Sequence, residues 1–239
     1  MIKHPFLSVI IPVYNEERAL GNIPKVVRFL KRLPYATELL VVNDGSSDTT
    51  GLMLQLYQKR QFCRVFSYAR HKGKGCAVRL GMLAARGEVR IMTDIDFSVP
   101  LSFIQPCVVL SRTNDVVIAS RRHAQSRVLV HQPFLREYAG ILYHKLSCML
   151  LNLPYKDQTC GFKLFTKRAA ASIFPKLRTD GWVFDTEALI LAQREGLNIR
   201  EMPVVWRNYP DTKVRFLTDM LRSIYDLLAI RLRLCRMEY

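Results

Sequence analysis

Residues 88–99 read EVRIMTDIDFSV, and this stretch decides the predicted fold. Residues 89–93 are mostly apolar and β-prone, which is typical of a central parallel strand buried on both faces. Asp94 and Asp96 follow directly, and the carboxyl end of such a strand is where open α/β sheets bind ligands. Because two neighbouring carboxylates repel each other, the pair indicates a cation, Mg²⁺ or Mn²⁺, that would hold a nucleotide diphosphate. The alternative is a strand end with two solvated, turn-forming aspartates.

The composition predicts one large domain with a polyanionic partner. The 239 residues are 49% apolar, enough for a substantial core, and their formal net charge is +16. Such an excess of positive charge points to nucleic acid, an anionic membrane face or phosphorylated substrates. Six cysteines without C-x-x-C spacing indicate reduced thiols in a cytoplasmic protein. We recognise no signal peptide, and no apolar run reaches the ~20 residues that span a bilayer.

A repeated order of strand, polar loop and helix predicts an α/β fold with a mostly parallel central sheet flanked by helices. About five parallel strands are expected, at residues 7–13, 38–43, 62–68, 89–93 and 115–120. Asn22 is the expected N-cap of the first helix. The segment RHKGKG at 70–75 precedes a helix expected over 76–85. Its glycines and lysines indicate either an anion cradle at a helix N-terminus or a basic, solvated turn.

Two long helices rich in apolar residues are expected in the second half of the chain. The first covers residues 134–153, and the last covers residues 214–236 and is amphipathic and basic. Between them, residues 199–206 predict an edge strand because Pro203 has no N–H to donate. The last helix either lies on an anionic membrane or packs on the body of the protein with a solvated charged face. In the first case the two helices would form one membrane-facing surface.

Four motifs of the first half resemble the inverting glycosyltransferases of family 2, which have the GT-A fold. They are Pro12-x-Tyr14-Asn15-Glu16, VNDGSSD at 42–48, KGKG at 72–75 and Asp94-x-Asp96. In the second half, DQTCGFKLFT at 157–166 and WVFD at 182–185 resemble the polyprenyl-phosphate branch, which includes dolichyl-phosphate mannose synthases and, more closely, dolichyl-phosphate glucosyltransferases. The resemblance implies one GT-A catalytic domain over 1–239. Its nucleotide-sugar half would be 1–121, its acceptor half 122–213 and its C-terminal amphipathic helix 214–239.

The resemblance also implies a role for particular residues. The nucleotide-binding set would be Pro12, Tyr14, Glu16, Asp44, Lys74, Asp94 and Lys213. Asp94 and Asp96 would hold the metal, Mg²⁺ or Mn²⁺. Arg121 and Arg136 would bind the acceptor phosphate, and Asp157 would face the sugar or the acceptor. Asp94, Asp96 and Asp157 thus form the expected catalytic set. Two positions depart from the pattern of some relatives, because Ser98 stands where a further metal ligand occurs and Gly140 stands where a serine occurs.

The implied reaction is a metal-dependent, inverting transfer of a hexose from a nucleotide sugar to a polyprenyl phosphate, undecaprenyl or dolichyl. UDP-glucose is favoured as the donor, followed by GDP-mannose. The expected partners are the two substrates and a membrane surface reached peripherally on its cytoplasmic face, with a membrane subunit as a further possibility. Nucleic acid is not an expected partner.

Two alternative functions accompany this interpretation, and several residue roles stay open. In the first alternative the enzyme acts on a glycan or a small hydroxyl acceptor, and Asp157 is then the best remaining carboxylate for a general base. Otherwise Asp157 orders the loop around Cys160.

Asp185 belongs either to a helix N-terminus, which favours negative charge, or to the sugar pocket. Trp182 is read as a core residue. From a different class, a basic nucleic-acid binder is conceivable, although the chain has no aromatic ribonucleoprotein motif.

Overall fold

The computed structural model describes residues 4–209 and 216–236. Within these ranges the strands are β1 (Leu7–Val13), β2 (Thr37–Asn43), β3 (Arg64–Ser67), β4 (Val89–Met92), β5 (Val116–Ser120), β6 (Arg127–Val130), β7 (Lys163–Thr166), β8 (Ile199–Pro203) and β9 (Val205–Arg207). The α-helices are α1 (Ile23–Leu30), α2 (Thr50–Lys59), α3 (Lys74–Ala84), α4 (Ile104–Leu110), α5 (Phe134–Leu151), α6 (Lys167–Ile173), α7 (Phe184–Arg194) and α8 (Phe216–Cys235). Short 3-10 turns at Ala19–Asn22 and Leu101–Phe103 lead into α1 and α4. The α/β fold with helices around a central sheet is confirmed.

Seven strands form the central sheet, in the order β3-β2-β1-β4-β7-β5-β8. The expectation of about five parallel strands is therefore wrong in one respect. The five predicted strands are present, but β7 lies between β4 and β5 and runs antiparallel to both. Each of the other strand pairs in the sheet is parallel. The short segment KLFT indicates a strand, but its sequence does not show which strands it pairs with, because those strands are distant in the chain.

Strand β4 is central and buried, as its composition predicts. All four of its residues are buried, and Val89 lies opposite Leu7 of β1 and Thr166 of β7. Two hydrophobic clusters pack on the two faces of the sheet, and Ile91 belongs to one while Met92 belongs to the other. Alternating side chains of a strand point to opposite faces, so β4 contributes to both clusters. The loop that carries Asp94 and Asp96 thus starts from the rigid middle of the molecule.

The edge-strand prediction for residues 199–206 is confirmed in part. Strand β8 is the outermost strand of the sheet and ends at Pro203. The chain then leaves the sheet, and β9 pairs in parallel with β6 in a separate two-stranded ribbon. The N–H of Arg207 in β9 donates to the carbonyl of Ser98 over 3.0 Å. This ribbon therefore supports the loop that follows β4.

Three helix ends differ from expectation. Asn22 makes no side-chain cap to α1; instead its Nδ2 donates to the carbonyl of Ile95 over 3.1 Å, which ties α1 to the loop after β4. Helix α3 begins at Lys74, two residues earlier than expected, so the lysine belongs to its first turn. Helix α5 ends at Leu151 because Asn152 adopts a left-handed conformation with φ of 52°.

Helices α5 and α8 pack against each other on one side of the molecule. The guanidinium of Arg233 in α8 lies 2.8 Å from Oε1 of Glu187 in α7, which is fully buried. Among the helices in residues 4–209 and 216–236, none is both long and apolar enough to cross a bilayer. All six cysteines are free thiols.

Candidate active site

A large cleft opens at the carboxyl ends of strands β1, β2, β4 and β5, where a doubly wound sheet binds ligands. Its volume is about 1980 Å³. The expected site residues that line it are Pro12, Tyr14, Glu16, Asp44, Lys74, Asp94, Asp96, Arg121 and Arg136. Asp157 is not part of this lining, and Lys213 lies outside the described residues. Tertiary structure thus gathers residues from positions 12 to 136 into one cavity.

At one end of the cleft an aromatic platform lies beside Asp44. The rings of Tyr14 and His71 are stacked with centroids 3.9 Å apart. Nδ1 of His71 is 2.9 Å from the Asp44 carboxylate, which also accepts backbone N–H groups from Lys72 at 2.9 Å and Gly73 at 2.8 Å. Asp44 therefore organises the 70–73 loop, while its contact with a base edge stays a prediction. The sequence analysis missed His71, although its position within the RHKGKG segment was a usable signal.

In the middle of the cleft Lys74 binds Asp94. The ammonium of Lys74 is 2.6 Å from Oδ1 of Asp94. Burial lowers the pKa of Lys74, but the charges of Asp94 and Asp185 outweigh it and raise that pKa above its usual value. The backbone does not form an open cradle here, because the N–H groups of Gly75 and Cys76 both donate to the carbonyl of Asp180. The side chain of Lys74, rather than the helix N-terminus, supplies the positive charge.

Because Gly161 has no side chain, the Asp94 carboxylate can occupy the space beside its Cα atom. A Cβ atom at position 161 would lie 2.0 Å from Oδ2 of Asp94, far inside contact distance. Gly161 precedes β7, the antiparallel strand next to β4, so the position of this strand brings the glycine against the aspartate. The sequence analysis did not assign this role, because it follows from a strand pairing that the sequence does not reveal.

Asp96 is held by Ser98. Its two carboxylate oxygens accept the backbone N–H of Ser98 at 2.9 Å and the Ser98 hydroxyl at 2.8 Å. Burial and the negative charge of Asp94 raise the pKa of Asp96, whereas Ser98 and Lys74 act in the opposite direction. Ser98 stands where some relatives have a further metal ligand. Here its two hydrogen bonds orient the Asp96 carboxylate, the member of the acidic pair that has no positively charged side chain of residues 4–209 or 216–236 bonded to it.

The acidic pair fits a divalent cation. Asp94 and Asp96 offer carboxylate oxygens, the ligand type that Mg²⁺ and Mn²⁺ prefer, and their mutual repulsion would be relieved by a cation. Across the described part of the chain, no cluster of three or more His, Cys, Asp or Glu side chains could hold a metal by itself. A cation here would therefore take its other ligands from phosphate oxygens and water, which is usual for Mg²⁺.

On the opposite side of the cleft Arg121 is locked to Asp157. Its Nε and Nη2 each lie 2.7 Å from a carboxylate oxygen of Asp157, and its backbone N–H donates to the same carboxylate at 2.8 Å. Burial raises the pKa of Asp157, but the charge and hydrogen bonds of Arg121 outweigh it and hold that pKa well below its usual range. An ionised carboxylate with both oxygens occupied is a poor proton acceptor. This geometry favours the interpretation in which Asp157 orders its loop; its catalytic role stays a prediction.

Arg136, from the first turn of α5, lines the cleft on the same side. Burial and the positive charge of Arg121 lower the pKa of Arg136, so the two guanidinium groups are near enough to repel each other. No carboxylate of the described ranges lies within 4.0 Å of Arg136. A phosphate group would relieve this repulsion, and the guanidinium of Arg136 could bind it in a bidentate manner, whereas Nε and Nη2 of Arg121 are already bonded to Asp157.

Residues 8–174 match the Glycosyl transferase family 2 domain, and the chain belongs to this family of glycosyltransferases. Among curated proteins, it is similar to the dolichyl-phosphate beta-glucosyltransferase of Saccharomyces cerevisiae, with 33% identity over 249 residues that cover 95% of this chain and 74% of the relative. The human dolichyl-phosphate beta-glucosyltransferase is 33% identical over 248 residues, which cover 95% of this chain and 75% of the relative. The expected family and enzyme class are therefore confirmed.

Solved structures support the fold. Glucosyl-3-phosphoglycerate synthase from Mycobacterium tuberculosis, in complex with Mn²⁺, UDP-glucose and phosphoglyceric acid, superposes with a TM-score of 0.68 at 20% identity. The match covers 95% of this chain and 79% of the synthase. The same synthase bound to UDP gives a TM-score of 0.67, again at 20% identity and covering 95% of this chain and 80% of the synthase. At this level of identity the likeness confirms the GT-A fold and nothing finer.

Proposed function

We propose that this glycosyltransferase transfers a hexose, with inversion, from a nucleotide sugar to a polyprenyl phosphate such as dolichyl phosphate. UDP-glucose is the favoured donor, and GDP-mannose is the next candidate. One observation carries the proposal: a single cleft has Lys74 with the Asp94 and Asp96 carboxylates on one side and Arg121 with Arg136 on the other. Such a cleft offers one place for a diphosphate and a second place for another phosphate.

The similar proteins support the choice of substrates. The curated relatives are named for beta-glucosyl transfer to dolichyl phosphate. The synthase of similar fold was crystallised with Mn²⁺ and UDP-glucose, which supports a UDP-sugar with a divalent cation as the donor. For this chain, donor, acceptor and cation are part of the proposal.

In the proposed reaction an oxygen of the lipid phosphate attacks the anomeric carbon of the sugar. The new C1–O bond forms as the bond between C1 and the oxygen of the β-phosphate breaks, and the nucleoside diphosphate leaves with that electron pair. Lys74 stabilises the charge that develops on the leaving diphosphate. A divalent cation held by Asp94 and Asp96 would add electrophilic stabilisation at the same oxygens.

The acceptor needs positioning more than activation. A phosphate monoester is already an anion near neutral pH, so no general base has to remove a proton. Arg121 is held rigid by Asp157 and by the ring of Trp206, which lies 5.4 Å from its guanidinium carbon. Arg136 approaches from α5. Together they would aim one phosphate oxygen at the anomeric carbon.

Helices α5 and α8 would rest on the membrane that contains the acceptor, on its cytoplasmic face. Both helices expose large apolar side chains, namely Phe134, Leu135, Tyr138, Leu142, Leu221 and Tyr225. Exposed arginines accompany them at positions 222, 231 and 236. Apolar side chains beside basic ones favour binding in the plane of an anionic bilayer. A membrane subunit that covers the same surface is the competing occupant.

Vesicle flotation tests this membrane contact. The wild type should float with vesicles that contain phosphatidylserine more than with neutral vesicles, and high salt should reduce the binding. The double variant Phe134→Ser with Leu135→Ser should lose it. The control is Leu52→Ser, which changes an equally exposed leucine on α2. Equal flotation of the two variants would refute the surface.

A panel of nucleotide sugars offered with dolichyl phosphate tests the proposed activity. We expect a radiolabelled, lipid-soluble product with UDP-glucose, and less or none with GDP-mannose. A labelled product found only in the water-soluble fraction would overturn the lipid-phosphate acceptor and favour a hydroxyl acceptor. No transfer from any donor would overturn the proposal as a whole.

The proposed division of the chain follows the cleft. Residues 1–121 would be the nucleotide-sugar half, residues 122–213 the acceptor half, and residues 214–239 the C-terminal amphipathic helix, with Arg121 contributing to the acceptor phosphate from the end of the first half.

A further inference from the structure

A buried carboxylate lies in the cleft without a role in the reaction as described so far. Asp185 is in the first turn of α7, is only 4% exposed and lines the cleft. Its countercharge is Lys163 of β7, which is fully buried, with its ammonium 2.8 Å from Oδ1 of Asp185. Burying an ion pair costs several kcal/mol per ion before the attraction is counted, so a pair that borders a ligand cleft suggests a use beyond stability.

Asp185 lines the same cleft as Lys74 and Arg121. Burial lowers the pKa of Lys74, and the charges of Asp94 and then Asp185 raise it. Burial also lowers the pKa of Arg121, and Asp157 raises it with a smaller contribution from Asp185. The Asp185 carboxylate is therefore near enough to act on both cations. In the proposed reaction the transferred sugar has to lie between the diphosphate beside Lys74 and the acceptor phosphate beside Arg121.

Three residues before Asp185, an aromatic ring faces the same cleft. Trp182 is 41% exposed, lines the cleft, and has its ring centroid 5.3 Å from the ammonium of Lys74. The expectation that Trp182 is a core residue is therefore wrong. Its exposure is unusual for so large a ring in a well-packed domain, and an exposed aromatic side chain in a cleft marks a ligand surface.

The segment that carries Trp182 and Asp185 is fixed from both sides. Glu187 accepts the backbone N–H groups of Arg178 at 3.0 Å and Thr179 at 2.6 Å. The carbonyl of Asp180 accepts the N–H of Gly75 at 2.8 Å, which joins the segment to the first turn of α3. These contacts fix the backbone that carries the ring and the carboxylate beside the first turn of α3, and such preorganisation favours ligand recognition.

We propose that Trp182 and Asp185 form the hexose subsite of the donor. A sugar ring presents hydroxyl groups at its rim and apolar C–H groups on its faces. The Asp185 carboxylate would accept hydrogen bonds from hydroxyls, Lys163 would hold it in place, and the Trp182 ring would pack on an apolar face. This assignment rests on the proposed function, because it names the part of the nucleotide sugar that the segment 182–185 recognises.

Binding of UDP and of UDP-glucose, measured by calorimetry in the presence of Mn²⁺, separates sugar recognition from diphosphate recognition. In Asp185→Asn the Kd for UDP-glucose should rise about tenfold or more, since hydrogen bonds to a charged group are weakened. In Trp182→Ala the same Kd should also rise, because the ring that packs on the sugar is lost. The Kd for UDP should change less than about threefold. Trp182→Phe should recover part of the loss, because a smaller ring still packs on the sugar.

Matched controls exist at the opposite end of the sheet. Asp115→Asn changes a buried carboxylate paired with Arg168, and Phe6→Ala removes an aromatic ring that is 39% exposed. Both positions lie outside the cleft lining, so the two Kd values should stay in their wild-type ratio. If Asp185→Asn does not fold, the ratio of the Kd for UDP-glucose to the Kd for UDP in Trp182→Ala still tests the subsite.

Each other outcome overturns the subsite. An equal loss for UDP and UDP-glucose would mean that the segment acts through Lys74 or through the fold. Unchanged affinities would remove the subsite, even if kcat fell. Failure of the wild type to bind either nucleotide would instead refute the proposed function itself, which distinguishes the two failures.

Discussion

At the scale of single residues, the acidic pair after β4 illustrates how two neighbouring carboxylates acquire different surroundings. Asp94 is bound to Lys74 and fits against the bare Cα of Gly161. Asp96 has only neutral donors from Ser98, and burial together with Asp94 raises its pKa. Asp96 is therefore the carboxylate for which an added cation brings the larger electrostatic gain.

Asp96→Ala should abolish sugar transfer and metal-dependent nucleotide binding while the protein stays folded. The variant removes one of two carboxylate ligands, and the alanine leaves no buried charge behind. Transfer assays and nucleotide titrations with and without Mn²⁺ measure the effect. Glu88→Ala, which changes an exposed carboxylate at the other end of the same strand, is the control. Full activity of Asp96→Ala would remove the metal role.

Gly161→Ala should reduce transfer roughly 10- to 100-fold, because losing a charge-assisted hydrogen bond costs about 1.5–3 kcal/mol. The new methyl group would meet the Asp94 carboxylate, which can rotate away only by leaving Lys74. The fold should survive, since the obstructing atoms are the end of a side chain. Gly21→Ala is the control because a Cβ there meets nothing within 4 Å. Unimpaired transfer by Gly161→Ala would show that Asp94 need not stay beside Lys74.

At the scale of elements, β7 and α5 build the parts of the site that lie far from the donor motifs in sequence. Strand β7 enters the sheet antiparallel between β4 and β5; it brings Gly161, which precedes it, into the cleft lining and places Lys163 beneath the cleft against Asp185. Helix α5 starts at Phe134 and carries Arg136 towards Arg121. The acceptor side thus depends on how two elements pack onto the parallel half of the sheet.

Arg136→Ala should raise the KM for the lipid phosphate about 10-fold or more and leave the KM for the nucleotide sugar nearly unchanged. One charged donor to the acceptor phosphate is lost, whereas the donor side of the cleft keeps its contacts. Steady-state kinetics with each substrate varied in turn measure the two KM values separately. The matched control is Lys145→Ala, an exposed cation on the same helix outside the cleft lining. Equal effects on both KM values would count against an acceptor role.

At the scale of the whole molecule, the Arg121–Asp157 ion pair joins the acceptor side to the sheet. Arg121 directly follows β5, and the backbone N–H of Asp157 donates to Glu201 of β8 at 3.2 Å. The pair is largely buried, with side-chain exposures of 22% for Arg121 and 2% for Asp157. Breaking such a pair leaves a buried charge without its partner, which makes it a determinant of global stability as well as of the site.

Asp157→Asn should lower the free energy of unfolding at neutral pH by about 3–5 kcal/mol, the usual cost of breaking a buried pair. The pKa of Asp157 is depressed in the folded state, so its contribution is complete above the unfolded pKa of about 3.9. It is lost as the pH falls below that value. Denaturant unfolding of the wild type and of Asp157→Asn, measured from pH 7 to pH 3, should therefore show that their free energies of unfolding differ less at pH 3 than at pH 7.

A different result would restore the catalytic prediction for Asp157. If the Asn variant unfolds like the wild type at pH 7 but loses kcat, the carboxylate acts on the reaction and not on the loop. Exposed pairs such as Lys167 with Glu88 are worth at most about 1 kcal/mol, so Glu88→Gln provides the baseline.

Local patterns in the sequence determined the parallel half of the fold and the donor side of the site. Apolar runs followed by polar loops predict β1, β2, β4 and β5, because neighbouring residues alone show which segment is apolar enough to be buried and where a turn ends it. The resemblance to family 2 glycosyltransferases implied that a residue after each of these four strands belongs to the site, which agrees with parallel strands aligning their carboxyl ends. Tyr14, Asp44, Asp94 and Arg121 do line one cleft.

Only the tertiary structure decided which strands β7 pairs with, that the Asp94 carboxylate packs against Gly161, and that Trp182 contacts Lys74 in the cleft. It also decided that Asp157 is bound to Arg121 and that His71 stacks on Tyr14. Each of these contacts joins residues more than 20 positions apart, and its energy depends on packing and burial, which neighbouring residues do not encode. Short-range chemistry therefore selects the elements, and long-range packing selects which side chains meet.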